Sequence, residues 1–231
     1  MTTPTHQPLA VLAFSGGMDS TTLAAYYHRR GYRLLLLTVD YGQRHTRELE
    51  AAREVAAHYA AEHHIVDLTS VGALMPGSAL TDPTVDVPEH HYAAESMRTT
   101  VVPNRNAIMA NIAVGIASAR AAHVVALGIH TGDHHVYPDC RPAFLTALQA
   151  STTAALDGFH TPYVDAPFID RTKTDIARLA ATLGAPLALS WSCYQGGTAH
   201  CGRCGTCVER REAFTDAGVP DPTTYAAEGT T

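Results

Sequence analysis

An apolar run of strand length, residues 9–14, stops at two adjacent glycines, and a helical pattern begins directly after them. This succession predicts a buried strand, a tight turn and the first turns of a helix. Any fold proposed for the chain has to accommodate this strand–turn–helix unit near its N-terminus.

The turn itself, Ser-Gly-Gly-Met-Asp-Ser, carries the groups that bind an anion. Gly16 and Gly17 allow the backbone to approach a ligand closely because they have no Cβ. The free N–H groups at the start of the following helix, with its positive dipole end, favour a negative charge. A bare pair of glycines is more commonly a plain turn. The hydroxyls of Ser15 and Ser20 and the carboxylate of Asp19 favour a phosphate-binding loop instead.

The charge and composition of the chain restrict its partners and its location. Its 231 residues suffice for one sizeable domain with a small appendage. The formal net charge of -6 provides no basic field for nucleic acid, so we expect small-molecule substrates and no nucleic-acid partner. No apolar segment is long enough to span a bilayer, and residues 1–8 lack the apolar core of a signal peptide. Clustered cysteines suit a reducing compartment, so we expect a cytoplasmic protein without membrane contact.

The elements after the first helix predict a parallel sheet. Residues 32–39 and 64–68 are further apolar runs of strand length, and residues 47–59 between them have helical periodicity. Strands that alternate with helices pair in parallel through right-handed crossovers, which predicts a Rossmann-like α/β sheet flanked by helices. Ligands bind at the carboxyl ends of such strands, where residues 15–20 and 40–45 both lie.

Residues 70–102 interrupt this pattern with a segment rich in proline, glycine, aspartate and threonine. Connections of this length are typically lids, binding loops or solvated excursions, and the sequence leaves these alternatives open. Within the segment, His90 and His91 are better explained as a surface pair than as metal ligands, because the chain contains 14 histidines.

Two later segments add candidate ligand-binding side chains at the same edge of the sheet. Residues 104–120 predict a long buried helix whose entry places Arg105 where it can hold a phosphate or carboxylate, or pair with an acidic neighbour. Residues 123–129 predict a fourth strand. Carboxylates accept hydrogen bonds from a heterocycle, and arginine neutralises an acid. The loop after this strand carries such groups together with a tyrosine: Asp133, Tyr137, Asp139 and Arg141.

Two more helices are predicted before the C-terminal segment. Residues 142–156 begin with proline, whose missing N–H costs nothing at the first helical position. Residues 172–183 are amphipathic, with Thr172 as N-cap and Asp175 three residues later. Lys173 is either a phosphate contact or a solvated helix lysine, two alternatives of equal weight.

Four cysteines near the C-terminus have the spacing of a metal site. Tight Cys-x-x-Cys spacing closes a small chelate in which four thiolates complete a tetrahedron. We interpret the cluster as a structural zinc site, with an iron–sulfur cluster as the alternative. Four protein thiolates leave no open position for catalysis, so the metal is expected to fix residues 191–231 against a domain of residues 1–190. A closing helix is predicted over residues 208–217. The ligands are Cys193, Cys201, Cys204 and Cys207.

The first turn resembles the pyrophosphate-binding (PP) loop of the ATP pyrophosphatases, Ser-Gly-Gly-x-Asp-Ser. Further motifs in residues 40–45, 102–106, 137–141 and 193–207 follow in the order typical of the 7-cyano-7-deazaguanine synthase (QueC) family, and the resemblance extends over residues 9–218. It implies ATP- and Mg²⁺-dependent conversion of 7-carboxy-7-deazaguanine and ammonia to the nitrile, through adenylated acid and amide intermediates. It also implies a homodimer and a role in queuosine or related deazapurine biosynthesis.

The resemblance also implies a set of functional residues. Catalysis would rest on Ser15, Asp19, Ser20 and Arg105, with arginine stabilising the charge that develops on phosphorus. The deazaguanine would be bound by Tyr41, Gln43, Arg44, Asp133, Tyr137, Asp139 and Arg141. ATP would be bound by the loop and the helix after it: Phe14, Ser15, Gly16, Gly17, Met18, Asp19, Ser20, Thr21, Thr22, Leu23 and Ala24.

Other functions share parts of this pattern. A QueC-like adenylating amidase or ligase could act on another acid, or serve antibiotic, DNA-modification or phage-defence pathways. Transfer RNA thiolation is disfavoured by the acidic charge and by the lack of a second reactive cysteine, since Cys140 alone lies outside the metal set. A zinc-stabilised nucleotide sensor would bind ATP without turnover. The sequence departs from the family pattern in residues 128–135 and at Asn104.

Overall fold

The computed structural model describes residues 7–44, 46–82, 84–89 and 95–226. Its strands are β1 (Leu9–Ala13), β2 (Arg33–Asp40), β3 (Glu62–Asp67), β4 (Val124–Ala126) and β5 (Tyr163–Asp165). They form one parallel sheet in the order β3-β2-β1-β4-β5. The chain changes direction along the sheet between β1 and β4, and the carboxyl ends of strands at such a switch point form a ligand-binding crevice.

Helices cover both faces of the sheet, so the predicted Rossmann-like α/β class is confirmed. The capping box predicted at Thr172 is also present: its Oγ1 accepts from Asp175 N at 3.1 Å, and Asp175 Oδ2 accepts from Thr172 N at 3.1 Å. The helices are α1 (Met18–His28), α2 (Arg47–His58), α3 (Thr69–Gly72), α4 (Arg105–Ala119), α5 (Pro142–Ala155), α6 (Lys173–Leu183) and α7 (Gly205–Ala217).

Three predicted boundaries were wrong, each for a physical reason. β3 begins at Glu62 rather than at His64, because it is an edge strand in which His63 Nε2 lies 2.9 Å from Thr38 Oγ1. β4 ends at Ala126, and Gly128 then runs beside the backbone at the start of α1, where an added Cβ would lie 3.4 Å from it. α7 begins three residues early, at Gly205, directly after a cysteine of the metal cluster.

The described part of the segment of residues 70–102 packs beside the chain that follows β2. Arg44 N donates to Leu80 O at 2.9 Å, and Ala79 N donates to Thr99 O at 2.7 Å. Ala79 and Leu80 are buried. A role as a lid stays a prediction. His45 and the His90–His91 pair lie outside the described residues.

The core has two layers because the side chains of β1 alternate between the faces of the sheet. Ala10 and Leu12 pack with buried residues of α1, α2, α6 and α7, whereas Leu9 and Val11 pack with those of α4 and α5. No helix in the described parts of the chain is long and apolar enough to cross a membrane.

The C-terminal helix α7 is tied to the rest by a buried arginine. Arg210 is 0% exposed; its Nε donates to Asp221 Oδ1 at 3.2 Å and its Nη1 donates to Ser190 Oγ at 2.9 Å and Ser192 Oγ at 3.2 Å. Its Nη2 donates to the carbonyl of Leu187 at 3.3 Å. One guanidinium therefore fixes the segment that precedes the first metal-binding cysteine.

Replacing this arginine should strongly destabilise the fold. Arg210→Met removes the cation that pairs with Asp221 and the donor to two serine hydroxyls, and removing one partner of a buried ion pair lowers the free energy of unfolding by about 3–5 kcal/mol. The matched control is Arg29→Met, at an exposed position, with an expected change within about 0.5 kcal/mol. Denaturant unfolding of both variants is the measurement, and equal unfolding free energies would contradict the role assigned to Arg210.

Candidate active site

A cavity of about 220 Å³ opens at the carboxyl ends of the central strands. The turn after β1, the end of β2 and the segment after β4 all contribute to its wall. The start of α4, the start of α6 and the segment around the cysteines close it from other sides. The fold thus brings together the separate motifs that the sequence places at one sheet edge.

The PP loop is held in shape by a close backbone contact. Gly16 has φ +80°, and a Cβ at this position would lie 2.7 Å from the backbone oxygen of Glu48 and 2.7 Å from the backbone nitrogen of Ala52. Only glycine meets both conditions. On the cavity side, Ser15 Oγ lies 3.2 Å from Ser20 Oγ and accepts from Gly17 N at 3.3 Å. These polar groups of the loop line the cavity.

The predicted ATP-binding residues divide into two groups. Phe14, Ser15, Gly17, Met18, Asp19 and Ser20 line the cavity. Gly16 and the helical residues Thr21, Thr22, Leu23 and Ala24 are not among its lining residues. The latter four are buried, and Thr22 Oγ1 donates to Met18 O at 2.8 Å within α1. They fix the helix behind the loop.

A cluster of charged side chains lies beside the loop. Lys173 Nζ lies 2.7 Å from Asp19 Oδ2 and 3.3 Å from Glu209 Oε2. Burial alone would raise the pKa of Asp19, but Lys173 and His130 outweigh it and hold that pKa below its ordinary value. Burial likewise raises the pKa of Glu209, partly offset by Lys173. Although burial opposes it, the two carboxylates raise the pKa of Lys173. The lysine is therefore charged and faces the cavity.

His130 connects this cluster to the loop after β4. Its side chain is buried, and its Nδ1 accepts from Gly132 N at 3.1 Å, so Nε2 carries the proton in the neutral ring. That Nε2 lies 3.4 Å from Asp133 Oδ2 and 3.9 Å from Asp19 Oδ2. The imidazole is thus set between two carboxylates that line the cavity.

The opposite side of the cavity is aromatic and carries a buried arginine. Arg105 Nη1 donates to the Tyr41 hydroxyl at 3.4 Å. Although burial opposes it, Tyr41, Tyr137 and Tyr194 raise the pKa of the guanidinium. The entry to α4 is left-handed at Asn104, with φ +60°, a conformation that glycine and asparagine adopt more readily than other residues. Asparagine at this divergent position therefore keeps the turn that aims Arg105 into the cavity.

Most of the predicted substrate-binding residues line this cavity: Tyr41, Gln43, Arg44, Asp133 and Tyr137. Asp139 and Arg141 are not among the described residues that line it. Asp139 Oδ2 accepts from Asn106 N at 3.0 Å and so caps α4, and Arg141 Nε donates to His134 O at 2.8 Å. Both side chains shape the loop after β4 instead of facing the ligand space.

The sequence interpretation missed several lining residues. Lys173 was one of two equal alternatives, and it does line the cavity. Six more lie on α2 or on the C-terminal segment: Glu48, Trp191, Ser192, Tyr194, Thr206 and Glu209. The helical pattern of residues 47–59 marked Glu48 only as polar. Nothing in the sequence showed that the C-terminal segment folds back over the PP loop.

The cysteine cluster fits one tetrahedral metal ion. The four sulfurs lie within 4.8 Å of one another, with 4.0 Å between Cys201 and Cys207 and 4.0 Å between Cys193 and Cys204. Zinc–sulfur bonds of about 2.3 Å place the sulfurs of a tetrahedron about 3.8 Å apart. A multi-iron cluster, by contrast, binds its thiolates through different iron atoms and spreads the sulfurs farther. The predicted structural zinc site therefore matches the donor set.

The metal segment is linked directly to the PP loop. Trp191 N donates to Gly16 O at 2.9 Å, and Trp191 Nε1 donates to Cys193 O at 2.8 Å. His200 Nε2 accepts from Ser192 N at 3.0 Å. Burial lowers the pKa of His200 to about 4, so the imidazole is neutral and can accept this bond at pH 7. The metal site thus stands two residues from a backbone contact with the loop.

Comparison of the sequence with known proteins identifies a family and its relatives. The family model described as queuosine biosynthesis protein QueC matches residues 9–218. The 7-cyano-7-deazaguanine synthase of Brucella anthropi is 53% identical over 211 residues, which cover 91% of this chain and 90% of that protein. The synthase of Paracoccus denitrificans is 52% identical over 215 residues, covering 93% and 92%.

Among solved structures, a 4-thiouridine synthetase in complex with RNA and bound ATP matches with a TM-score of 0.53 and 21% identity, covering 94% of this chain and 47% of that one. At this identity the likeness concerns the fold alone. The family match and the two relatives extend over nine tenths of the chain, so the chain belongs to the QueC family.

Proposed function

We propose that this protein converts 7-carboxy-7-deazaguanine and ammonia to 7-cyano-7-deazaguanine with ATP, as the names of its relatives indicate for those enzymes. The observation that carries the proposal is that the PP loop and Arg105 line the same cavity. A phosphate donor and an acid can therefore react side by side within it. We propose that the product serves queuosine or related deazapurine synthesis.

The reaction needs the same activation twice. A carboxylate oxygen is a poor leaving group, so it attacks the α-phosphorus of ATP and pyrophosphate departs. Ammonia then adds to the acyl carbon, AMP leaves, and a proton is lost to give the amide. The amide oxygen attacks a second ATP, and loss of AMP and a proton from the resulting imidate leaves the nitrile. Each carboxylate oxygen ends in one molecule of AMP.

The cavity offers groups for each charge in this scheme. Gly17 N–H and the hydroxyls of Ser15 and Ser20 would bind the pyrophosphate end of ATP. Lys173, charged and held by Asp19, would stabilise the charge that develops on the departing pyrophosphate. Arg105 would stabilise the α-phosphoryl group from the other side.

Magnesium is the cation that this scheme requires, and the donor set fits it. Asp19 Oδ1 is buried and makes no hydrogen bond among the described residues. Glu209 lies close enough to Asp19 for the two charges to interact, and carboxylate oxygens are the ligands that Mg²⁺ prefers. We propose that Asp19 and Glu209 hold the ion, which when bound neutralises charge on the phosphates.

The remaining proposals concern organisation. We propose a cytoplasmic homodimer that acts on small molecules and not on nucleic acid. Two exposed aromatic side chains support the dimer. Tyr163, which is 63% exposed, begins the outer strand β5, and Phe159, which is 76% exposed, precedes that strand. We further propose that residues 191–231 form a zinc-stabilised unit on a catalytic domain of residues 1–190, because Arg210 and the cysteines order that segment.

A sulfur-transfer function is less well supported. Such chemistry uses a reactive thiolate, and Cys140 is the cysteine that lies outside the metal cluster. It is buried, accepts from Asn106 Nδ2 at 3.2 Å, and burial raises the pKa of its thiol above the ordinary value. A neutral thiol in this position is a poor nucleophile.

The test of the proposed function is product analysis. Purified protein is given Mg-ATP, ammonium and 7-carboxy-7-deazaguanine, and the products are followed by mass spectrometry. We expect the nitrile, a transient amide, and AMP. Unchanged acid would contradict the proposal, and amide without nitrile would identify an enzyme that stops after the first activation.

The role of Lys173 can be tested by replacement. Lys173→Met removes the positive charge beside the loop, and kcat/KM for ATP should fall by roughly 10²–10³-fold, as when one preorganised donor to a transition state is lost. Arg178→Met is the control on the same helix, because its exposed side chain pairs only with nearby surface groups. It should retain activity within about threefold. Equal activities of the two variants would contradict a role for Lys173 in phosphate chemistry.

A further inference from the structure

Glu48 is a half-buried acid that lines the cavity, and no step of the reaction uses it. We propose that its carboxylate is the specificity-determining group for the base, accepting hydrogen bonds from the N1–H and the 2-amino group of the deazaguanine. This inference rests on the proposed function, since it names how that substrate is recognised. It concerns the end of the base that bears the amino group, away from the carboxyl group that reacts.

The position of Glu48 is fixed by the fold. It lies in the first turn of α2, and its backbone oxygen is one of the two atoms that a Cβ on Gly16 would strike. The side chain lines the cavity. The neighbouring Glu50 behaves differently: its Oε2 accepts from Arg47 Nη1 at 2.7 Å on the surface. The same helix turn thus carries one paired surface acid and one acid turned to the ligand space.

Within the described residues, the Glu48 carboxylate makes no hydrogen bond, and Arg105 is the charged group that favours its ionised form. Burial raises the pKa of Glu48 to about 7. A carboxylate in a partly desolvated cavity wall forms stronger hydrogen bonds than one at the open surface, so a ligand that brings N–H donors gains more here. The half-buried Glu48 carboxylate is an acceptor that faces the space where a ligand is expected to bind.

Glu48 stands apart from the other acids of the cavity. Asp19, Asp133 and Glu209 share Lys173 and His130 as neighbours and form the cluster beside the phosphate loop. The groups that feel the charge of Glu48 are Arg105 and the hydroxyls of Tyr41 and Tyr194, the last of which also feels Asp133. A lone carboxylate beside an arginine and aromatic side chains does not make a metal site, because Mg²⁺ and Ca²⁺ take several oxygen ligands.

The remaining occupant is a flat heterocycle. Aromatic side chains provide apolar contact area for its ring, and a carboxylate accepts two parallel N–H bonds at its two oxygens. The N1–H and 2-amino group of a guanine-type base present two such donors side by side. A hypoxanthine-type base lacks the amino group and offers only one. Glu48 should therefore discriminate between these two bases.

The experiment is a cycle of two proteins and two substrates. Wild-type and Glu48→Gln proteins are compared on 7-carboxy-7-deazaguanine and on its analogue without the 2-amino group, by kcat/KM and by calorimetric affinity for the acid. Glu50→Gln is the matched control. Wild-type protein should prefer the amino-bearing base by roughly 10- to 100-fold, the value of one hydrogen bond to a charged group. Glu48→Gln should reduce that preference to about threefold or less, and Glu50→Gln should leave it unchanged.

A pH series on the wild-type protein gives a second test that needs no variant. The preference should be full at about pH 8, where Glu48 is ionised, and should shrink by about pH 5.5, where it is protonated. The titratable groups beside Glu48 keep one protonation state over this pH range. Burial raises the pKa of Tyr41 and of Tyr194, so both stay neutral, and the raised pKa of Arg105 keeps it charged. The preference is the ratio of the affinities for the two bases, so a titration that changes both affinities by the same factor leaves it unchanged.

The outcomes separate the two proposals. If wild-type protein forms no amide or nitrile, the proposed function fails, while the calorimetric preference still tests Glu48. If Glu48→Gln weakens both bases equally, or if the preference is independent of pH, Glu48 does not read the amino group and the inference is overturned. Melting temperatures of the variants verify that folding is intact.

Discussion

The structure depends on the backbone contacts of Gly16. On one side the residue touches the first turns of α2 so closely that no Cβ fits, and on the other its carbonyl accepts from Trp191 N at 2.9 Å. The PP loop, the helix that carries Glu48, and the segment before the metal-binding cysteines therefore meet at one peptide. A phosphate site built from backbone amides needs those amides in fixed directions, and the contacts at Gly16 and the bonds of Ser15 and Ser20 to Gly17 hold them there.

The two ends of the cavity differ in chemistry. Beside the loop, Lys173 is held by Asp19 and Glu209 at hydrogen-bond or ion-pair distance, so positive charge is fixed before any phosphate binds. On the opposite side, Arg105 is surrounded by tyrosines and Glu48 stays without a hydrogen bond among the described residues. The first end suits an anion that is common to both activations. The second suits a base whose reacting group changes from acid to amide while its donor edge stays the same.

The sequence predicted the parts of the fold that arise from local pattern. The strand–glycine–helix unit, the parallel order of elements and the capping box at Thr172 follow from periodicity and from backbone hydrogen bonding, and all are present. The four sulfurs also meet as predicted, because Cys-x-x-Cys spacing brings them together. β3 began earlier than predicted since edge pairing tolerates polar residues such as Glu62 and His63.

The candidate site was less predictable because its wall is tertiary. Asp139 and Arg141 looked like ligand-binding residues in the sequence, yet one caps α4 and the other holds its own loop. Conversely, the sequence marks neither Glu48 nor Glu209 as a site residue, and they line the cavity because α2 and α7 pack around the PP loop. A residue type and its position in a motif do not specify the side on which the chain folds back.

The central claim is that one loop activates the two oxygens of the acid in succession. The direct measurement uses 7-carboxy-7-deazaguanine labelled in both carboxyl oxygens with a heavy isotope, followed by mass spectrometry of AMP, pyrophosphate and water. The account predicts two molecules of AMP for each nitrile, each carrying one heavy oxygen. Label in pyrophosphate or water, or a single labelled AMP for each nitrile, would contradict it.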